Sequence, residues 1–302
     1  MSYSDMDKKV DGLLGKKAFA TNEKSFTMSS KTNNGMALKA TTSMKGGSTT
    51  CKLNSKFKHS SGVNFSKIDI VSDGSVKVEA NCASGVDNVN ITSAFTMGTA
   101  KWLAGKKNNE KAAIGFEFAQ GDMSASADFD FLAKNGDNDV VCFTPEFCYT
   151  MDNFQFGGDA EVNFPSPFGG EGGATSMDDY NVGLAYKTSD TDMVLQVGQP
   201  GKDNMLSASI FNNASSDTKW GATFSQGKGG SIKERAFNVK VGAQFQNNAD
   251  MSTKIQIDQN AVGSFKLTQA LNGGASLTLQ TEIDFNNLQN DAKFGLGFDM
   301  KL

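Results

Sequence analysis

Apolar and polar residues alternate one for one along most of this chain, and they do so in segment after segment. In the last segment Ala292, Phe294, Leu296, Phe298, Met300 and Leu302 fall on one face, with Lys293, Gly295, Gly297, Asp299 and Lys301 on the other. Ala275, Leu277, Leu279, Thr281 and Ile283 oppose Ser276, Thr278, Gln280, Glu282 and Asp284 in the same way. Phe237, Val239, Val241, Ala243 and Phe245 oppose Asn238, Lys240, Gly242 and Gln244. A period of two is the signature of strands with one oily and one wet face. Turn signals such as Asn33-Asn34-Gly35, Lys45-Gly46-Gly47, Ser72-Asp73-Gly74 and Asn272-Gly273-Gly274 separate the runs. Marking strands between turns gives about 19 segments from Phe26 to Leu302, averaging about 10 residues, the length that crosses a bilayer when tilted.

The stretch before Phe26 has a different period. Met6, Val10, Leu13 and Leu14 recur at helical spacing among Asp5, Lys8, Lys9, Asp11 and Lys16, which predicts one short amphipathic helix. The chain therefore divides into a helix and linker over 1–25 and a hairpin meander over 26–302. Two longer connections interrupt the meander, at 98–110 and at the Gly- and Pro-rich 165–177. No helix-length pattern recurs between strands, which argues against a parallel α/β fold.

Other classes are excluded by what the chain lacks. No apolar run approaches the roughly 20 residues of a membrane-spanning helix. The N-terminus alternates charges without an apolar core, so no secretory signal is expected and the chain should stay inside the cell or enter an organelle. Cys142 and Cys148 lie about 20 Å apart on an extended strand, beyond disulfide reach, and Cys51 and Cys82 have no paired motif, so free thiols are expected. With His59 as the single histidine there is no zinc site and no Ser-His-Asp triad. Asp128 with Asp130, and Asp159 with Glu161, pair carboxylates on one face, but without histidine or a metal cluster they are not read as an enzyme site.

A meander this long must close or split into two packed sheets. The strands are long and uniform. Charges crowd one face (Lys52, Lys56, Lys58; Asp128, Asp130; Asp159, Glu161), while the other face is nearly free of them. In hydrocarbon a sheet must be closed so that every backbone group is paired, and its outward side chains must be apolar. The expected fold is thus an all-β transmembrane barrel of about 19 strands, with aromatic girdles built mostly from phenylalanine.

Several segments resemble one family, the mitochondrial outer-membrane porins or voltage-dependent anion channels. Tyr3-Ser4-Asp5-Met6-Asp7-Lys8 resembles the start of the family's helix, Y-A-D-L-G-K, and Lys16 falls where that helix carries a further lysine. Gly62-Val63-Asn64-Phe65-Ser66-Lys67 resembles its fourth-strand G-L-T-F-T-E, residues 181–188 resemble F-A-V-G-Y-K-T, and AKFGLGFDMKL resembles K-L-G-L-G-L-E-F. Lys293, Gly295, Phe298 and Met300 also fit the mitochondrial barrel-insertion signal. The resemblance implies an antiparallel meander closed by a parallel first and last strand, with the N-terminal helix in the lumen. It implies a voltage-dependent, anion-selective diffusion pore of the mitochondrial outer membrane.

The departures are informative. Asp11 stands where the family has arginine, and Ala18-Phe19-Ala20-Thr21-Asn22 replaces a Gly-rich hinge. Lys67 takes the place of the family's membrane-facing glutamate. In phase with Val63 and Phe65 it faces lipid or a partner, while a bulge would turn it inward, since Ile68 and Ile70 sit in the opposite phase.

For a water-filled pore, selectivity comes from the lining charges. Alternation puts Lys31, Lys39, Lys52, Lys56, Lys58 and Lys77 inward on the first quarter of the wall. Glu117, Asp128, Asp130, Glu146, Asp159 and Glu161 face inward on the middle strands. One basic and one acidic wall are expected, with phosphate-bearing metabolites such as adenine nucleotides drawn weakly along the basic wall and the helix lysines Lys8, Lys9 and Lys16. The run Gly169–Gly173 lacks the Lys-Ser/Thr of a phosphate-binding loop and is read as a turn. Outer-membrane lipid, and a homo-oligomer or larger mitochondrial membrane complex, are the expected partners. No cofactor, metal or nucleic acid is expected. The rival readings are the pore of the outer-membrane protein translocase and a porin-derived structural subunit with a plugged lumen.

Overall fold

The structure is a computed structural model that describes residues 2–15, 18–19, 23–33, 35–97, 111–135, 138–167, 175–198, 206–226, 237–289 and 292–302. A 3-10 turn (Tyr3–Asp5) leads into one helix, α1 (Lys8–Leu14), followed by nineteen strands. The first nine are β1 (Glu23–Lys31), β2 (Ala37–Lys45), β3 (Ser48–Lys58), β4 (Asn64–Val71), β5 (Val76–Ala83), β6 (Val89–Met97), β7 (Lys111–Gln120), β8 (Met123–Asn135) and β9 (Asn138–Met151). Then come β10 (Phe154–Pro165), β11 (Ser176–Lys187), β12 (Thr191–Gly198), β13 (Leu206–Asn213), β14 (Thr218–Gln226) and β15 (Phe237–Asn248). The last four are β16 (Met251–Asp258), β17 (Val262–Leu271), β18 (Ala275–Asp284) and β19 (Lys293–Lys301).

Each strand bonds to its neighbours in chain order, and β19 returns to β1, so one 19-stranded sheet closes on itself. Consecutive strands are antiparallel. Because their number is odd, the first and last run the same way, and closure is parallel, with Phe26 opposite Phe298 and Met28 opposite Met300. Closure removes the free edge that an open sheet would present, which is the condition for sheet in hydrocarbon. No described helix is long and apolar enough to cross a membrane.

The alternation read from the sequence becomes two surfaces. Phe26, Leu53, Ile70, Phe116, Val182, Leu195, Val241 and Leu279 all point away from the lumen and are exposed, Ile70 by 48% and Val182 by 59%. Such a belt around the sheet is unfavourable against water and satisfied against lipid chains. Tight turns join most strands at one rim; at Gly35 (φ 79°) and Asp152 (φ 52°) the chain adopts the left-handed conformation that Gly, Asn and Asp tolerate best.

Most of the buried apolar residues belong to the N-terminal segment and the wall under it. Tyr3, Met6, Cys148, Ala185 and Val194 form one cluster, and Val10, Leu13, Leu14 and Phe211 a second. The helix thus lies inside the barrel, its apolar stripe against the wall. All four cysteines are free, Cys148 buried beneath this segment.

Candidate functional site

The helix identifies the inner face of the wall, and the strand registers carry that face around the barrel. Gly157, Gly183, Gly221 and Gly242 lie directly under Tyr3, Met6, Leu13 and Leu14. They occur as two cross-strand pairs, Gly157 opposite Gly183 and Gly221 opposite Gly242. A Cβ added at Gly183 would stand 2.8 Å from Tyr3 Cε2, and one at Gly242 would stand 2.6 Å from Leu14 Cδ2. The helix therefore rests against backbone, closer than any side chain would allow.

Charged groups hold both ends of this segment. At the start, the Ser4 N–H donates to Glu146 Oε1 (3.1 Å), and Lys9 Nζ lies 2.8 Å from the carboxylate of the buried Asp192. At the end, Lys254 Nζ donates to the Gly12 carbonyl (3.0 Å) and Lys266 Nζ to the Ala18 carbonyl (3.3 Å). Free carbonyls at a helix C-terminus favour cations, so the wall charges match the polarity of the helix. Lys8 pairs with Asp5 along the helix (3.0 Å), and this ammonium holds the Asp5 carboxyl below its ordinary range. Burial pushes the Asp7 carboxyl up, and burial together with the carboxylate of Asp159 pushes the Tyr3 hydroxyl up.

On the inner face Lys31, Lys39, Lys52, Lys56, Lys58 and Lys77 all lie on β1–β5. Lys31, Lys39, Lys56 and Lys58 are exposed to the lumen and form no ion pair among the described residues. Glu117, Asp128, Asp130, Glu146, Asp159 and Glu161 share the inner face of β7–β10, and Asp179 on β11 and Asp192 on β12 extend this acidic sector. Glu117, Asp128 and Glu146 border a cavity of about 370 Å³ beside Ser2 and Ser4. Lys16, the connection 98–110, Gly169–Gly173 and Ala20–Asn22 lie outside the described residues.

Lys67 is not a membrane-facing charge. Pairing between β4 and β5 shifts register between Phe65 and Lys67, leaving Ser66 as an extra residue. Phe65 therefore faces lipid while Lys67 joins Asp69 on the lumen side. Lys67 Nζ lies 3.6 Å from Asp69 and 3.9 Å from Glu79; Lys52 binds Asp69 at 2.6 Å and Lys77 binds Glu79 at 2.6 Å. Three lysines and two carboxylates alternate across three strands. Turning inward spares Lys67 the cost of a lysine in hydrocarbon, about 2–4 kcal/mol at mid-depth.

A second basic sector, missed in the sequence reading, runs from β14 to β17: Lys219, Lys240, Lys254 and Lys266 face inward, with Lys187 opposite Asp192 nearby. The lumen is therefore basic, acidic and basic in turn, and the helix crosses from the acidic sector to the second basic one. The signal was present in alternation alone, since Lys240 lies between the outward Val239 and Val241. The glycine seats carried no such signal, because their meaning depends on which strands become neighbours of the helix. Lys293, Gly295, Phe298 and Met300 lie on β19: the first two point inward, with Lys293 paired to Glu282, and the last two point to lipid.

A closed, lipid-faced barrel around a charged, watery lumen defines a pore-forming membrane protein. The chain belongs to the eukaryotic porin family, the family of voltage-dependent anion channels, whose sequence profile matches residues 1–295. Family membership supports an outer-membrane location and a channel rather than an enzyme. Among solved structures, a triple mutant of the Rhodopseudomonas blastica porin is similar at 7% identity, covering 85% of this chain and 89% of that one, with a TM-score of 0.42. A loop-deletion mutant of OmpT, an outer-membrane protein of Vibrio cholerae, covers 88% of this chain and 91% of that one at 7% identity and a TM-score of 0.34. A sequence comparison with curated proteins finds no match.

Proposed function

We propose that this protein is a voltage-dependent, anion-selective channel of the mitochondrial outer membrane, a diffusion path for ions and small metabolites including adenine nucleotides. One observation carries the reading. Lys31, Lys39, Lys56 and Lys58, exposed and without ion pairs among the described residues, line the part of the lumen that the helix leaves open. Unpaired ammonium groups raise the local concentration of anions in a narrow aqueous passage. On the other side, Lys8, Lys9 and Lys219 border a cleft of about 340 Å³ with Phe211, Asn213 and Gln244. Lys8 and Lys9 are already partnered by Asp5 and Asp192, so phosphate groups meet point charges there rather than a fixed site. The apolar belt takes bilayer lipid as its partner.

Reversal potentials across a planar bilayer under a KCl gradient test the reading. The expected sign is that of anion preference, with current reduced reversibly by millimolar ATP. Absence of conductance would sink the pore, and a strong cation preference would sink the basic path.

A further inference from the structure

We infer that the paired inner-wall glycines, Gly157 with Gly183 and Gly221 with Gly242, set the width of the pore by fixing how deeply the N-terminal segment sinks into the wall. The inference rests on the pore reading and adds the residues that determine its size limit. A side chain at Gly183 has no wall backbone among its nearest atoms: its Cβ would meet Tyr3 Cε2 at 2.8 Å, Gln196 Cγ at 3.2 Å and Met6 Sδ at 3.4 Å. Two of these atoms are side-chain atoms of Tyr3 and Met6, which are buried against Cys148, Ala185 and Val194 and have little room to turn aside, so a leucine there displaces them and lifts the first turn that carries them. At Gly157 and Gly242 the strand itself also resists, since carbonyl oxygens of Phe147 and Ile255 would lie 2.6 and 2.5 Å from the new carbon. Gly183 is thus the position where the seat can be filled with least effect on the barrel.

The lifted segment stays in the lumen. Lys9 on Asp192, Lys254 on the Gly12 carbonyl, Lys266 on the Ala18 carbonyl, and the cluster of Val10, Leu13, Leu14 and Phe211 are all independent of Gly183. The ends are held by charges of opposite sign on the wall, so the segment keeps its place and direction while its first turn stands off. Standing off narrows the passage, because the lumen is bounded by the helix on one side and β1–β6 on the other. The glycines are positioning residues: solute in the passage meets the helix and the lysine wall, and the seat decides the distance between them.

Single-channel recording of the full chain, with neutral polymers of graded size as molecular rulers, tests this. Gly183→Leu should lower conductance by roughly a third and lower the polymer cut-off, from a standoff of about one carbon–carbon contact distance, 3.5–4 Å. Met6→Trp overfills the same seat from the helix side and leaves every wall residue as it is, and should do the same. Tyr3→Ala, which vacates the space, should return the conductance of Gly183→Leu toward that of the unsubstituted protein. Unchanged or raised conductance in both Gly183→Leu and Met6→Trp, with the unsubstituted protein conducting, overturns the inference. An unsubstituted protein that does not conduct overturns the pore reading instead.

Discussion

Asp192 illustrates how a single side chain ties the helix to the wall. Its carboxylate is buried, bound by Lys9 at 2.8 Å and faced across the ladder by Lys187. Removing Lys9 leaves a buried charge short of one partner, a loss of about 1–3 kcal/mol of docking. Cys148, 1% exposed beneath Tyr3 and Met6, reports on that docking. In Lys9→Met a water-soluble maleimide should modify Cys148 about 5- to 150-fold faster, the factor such an energy represents, while Lys9→Arg should change it little. Equal rates in the wild type and Lys9→Met would show that the pair does not hold the helix. The burden on this residue was invisible in the sequence: Lys9 reads there as one of the helix lysines along the anion path, and nothing marks Asp192 as its partner.

At the scale of the element, β4 shows what a bulge does to a period-two pattern. Regular alternation from Phe65 would send Lys67 into lipid, and the extra residue Ser66 corrects the phase so that Lys67, Asp69 and Glu79 meet in the lumen. Deleting Ser66 should remove the bulge and still leave Phe65 outward and Lys67 inward. Refolding into detergent should give a barrel whose stability lies within about 1.5 kcal/mol of the original, as for a loss of local rather than global contacts. Deleting Ile68 instead also removes the extra residue and keeps Phe65 and Ile70 outward, but it sends Lys67 into lipid and should cost about 2–4 kcal/mol. If the Ser66 deletion were as damaging as the Ile68 deletion, the bulge would be carrying something other than phase. Two consecutive phases, Val63 and Phe65 against Ile68 and Ile70, were legible in the chain; the position of the slip between them was set by the pairing with β5.

For the whole molecule, the oily belt and the closed ladder act together. Leu195 lies in the middle of β12 and points outward, 45% exposed, whereas the outward Met44 lies near the end of β2. A lysine at Leu195 should destabilise the barrel by about 2–4 kcal/mol, and one at Met44 by no more than about 1 kcal/mol. Urea titration of protein folded in lipid vesicles measures both. Equal costs at the two positions would mean that hydrocarbon does not cover this surface. Strand number, the oily and wet faces, the amphipathic N-terminus and the alternation that sends charges to the lumen followed from the order of residues alone. Side chains in a strand alternate with a strict period, and a lipid environment penalises each misplaced charge. The chain fold decided the rest: the slip at Ser66, the ion network around Lys67, the second basic sector acting on the helix carbonyls, and the glycine seat under Tyr3 and Leu14. Those contacts join residues far apart in the chain, so they exist only after registers are chosen and the last strand has met the first.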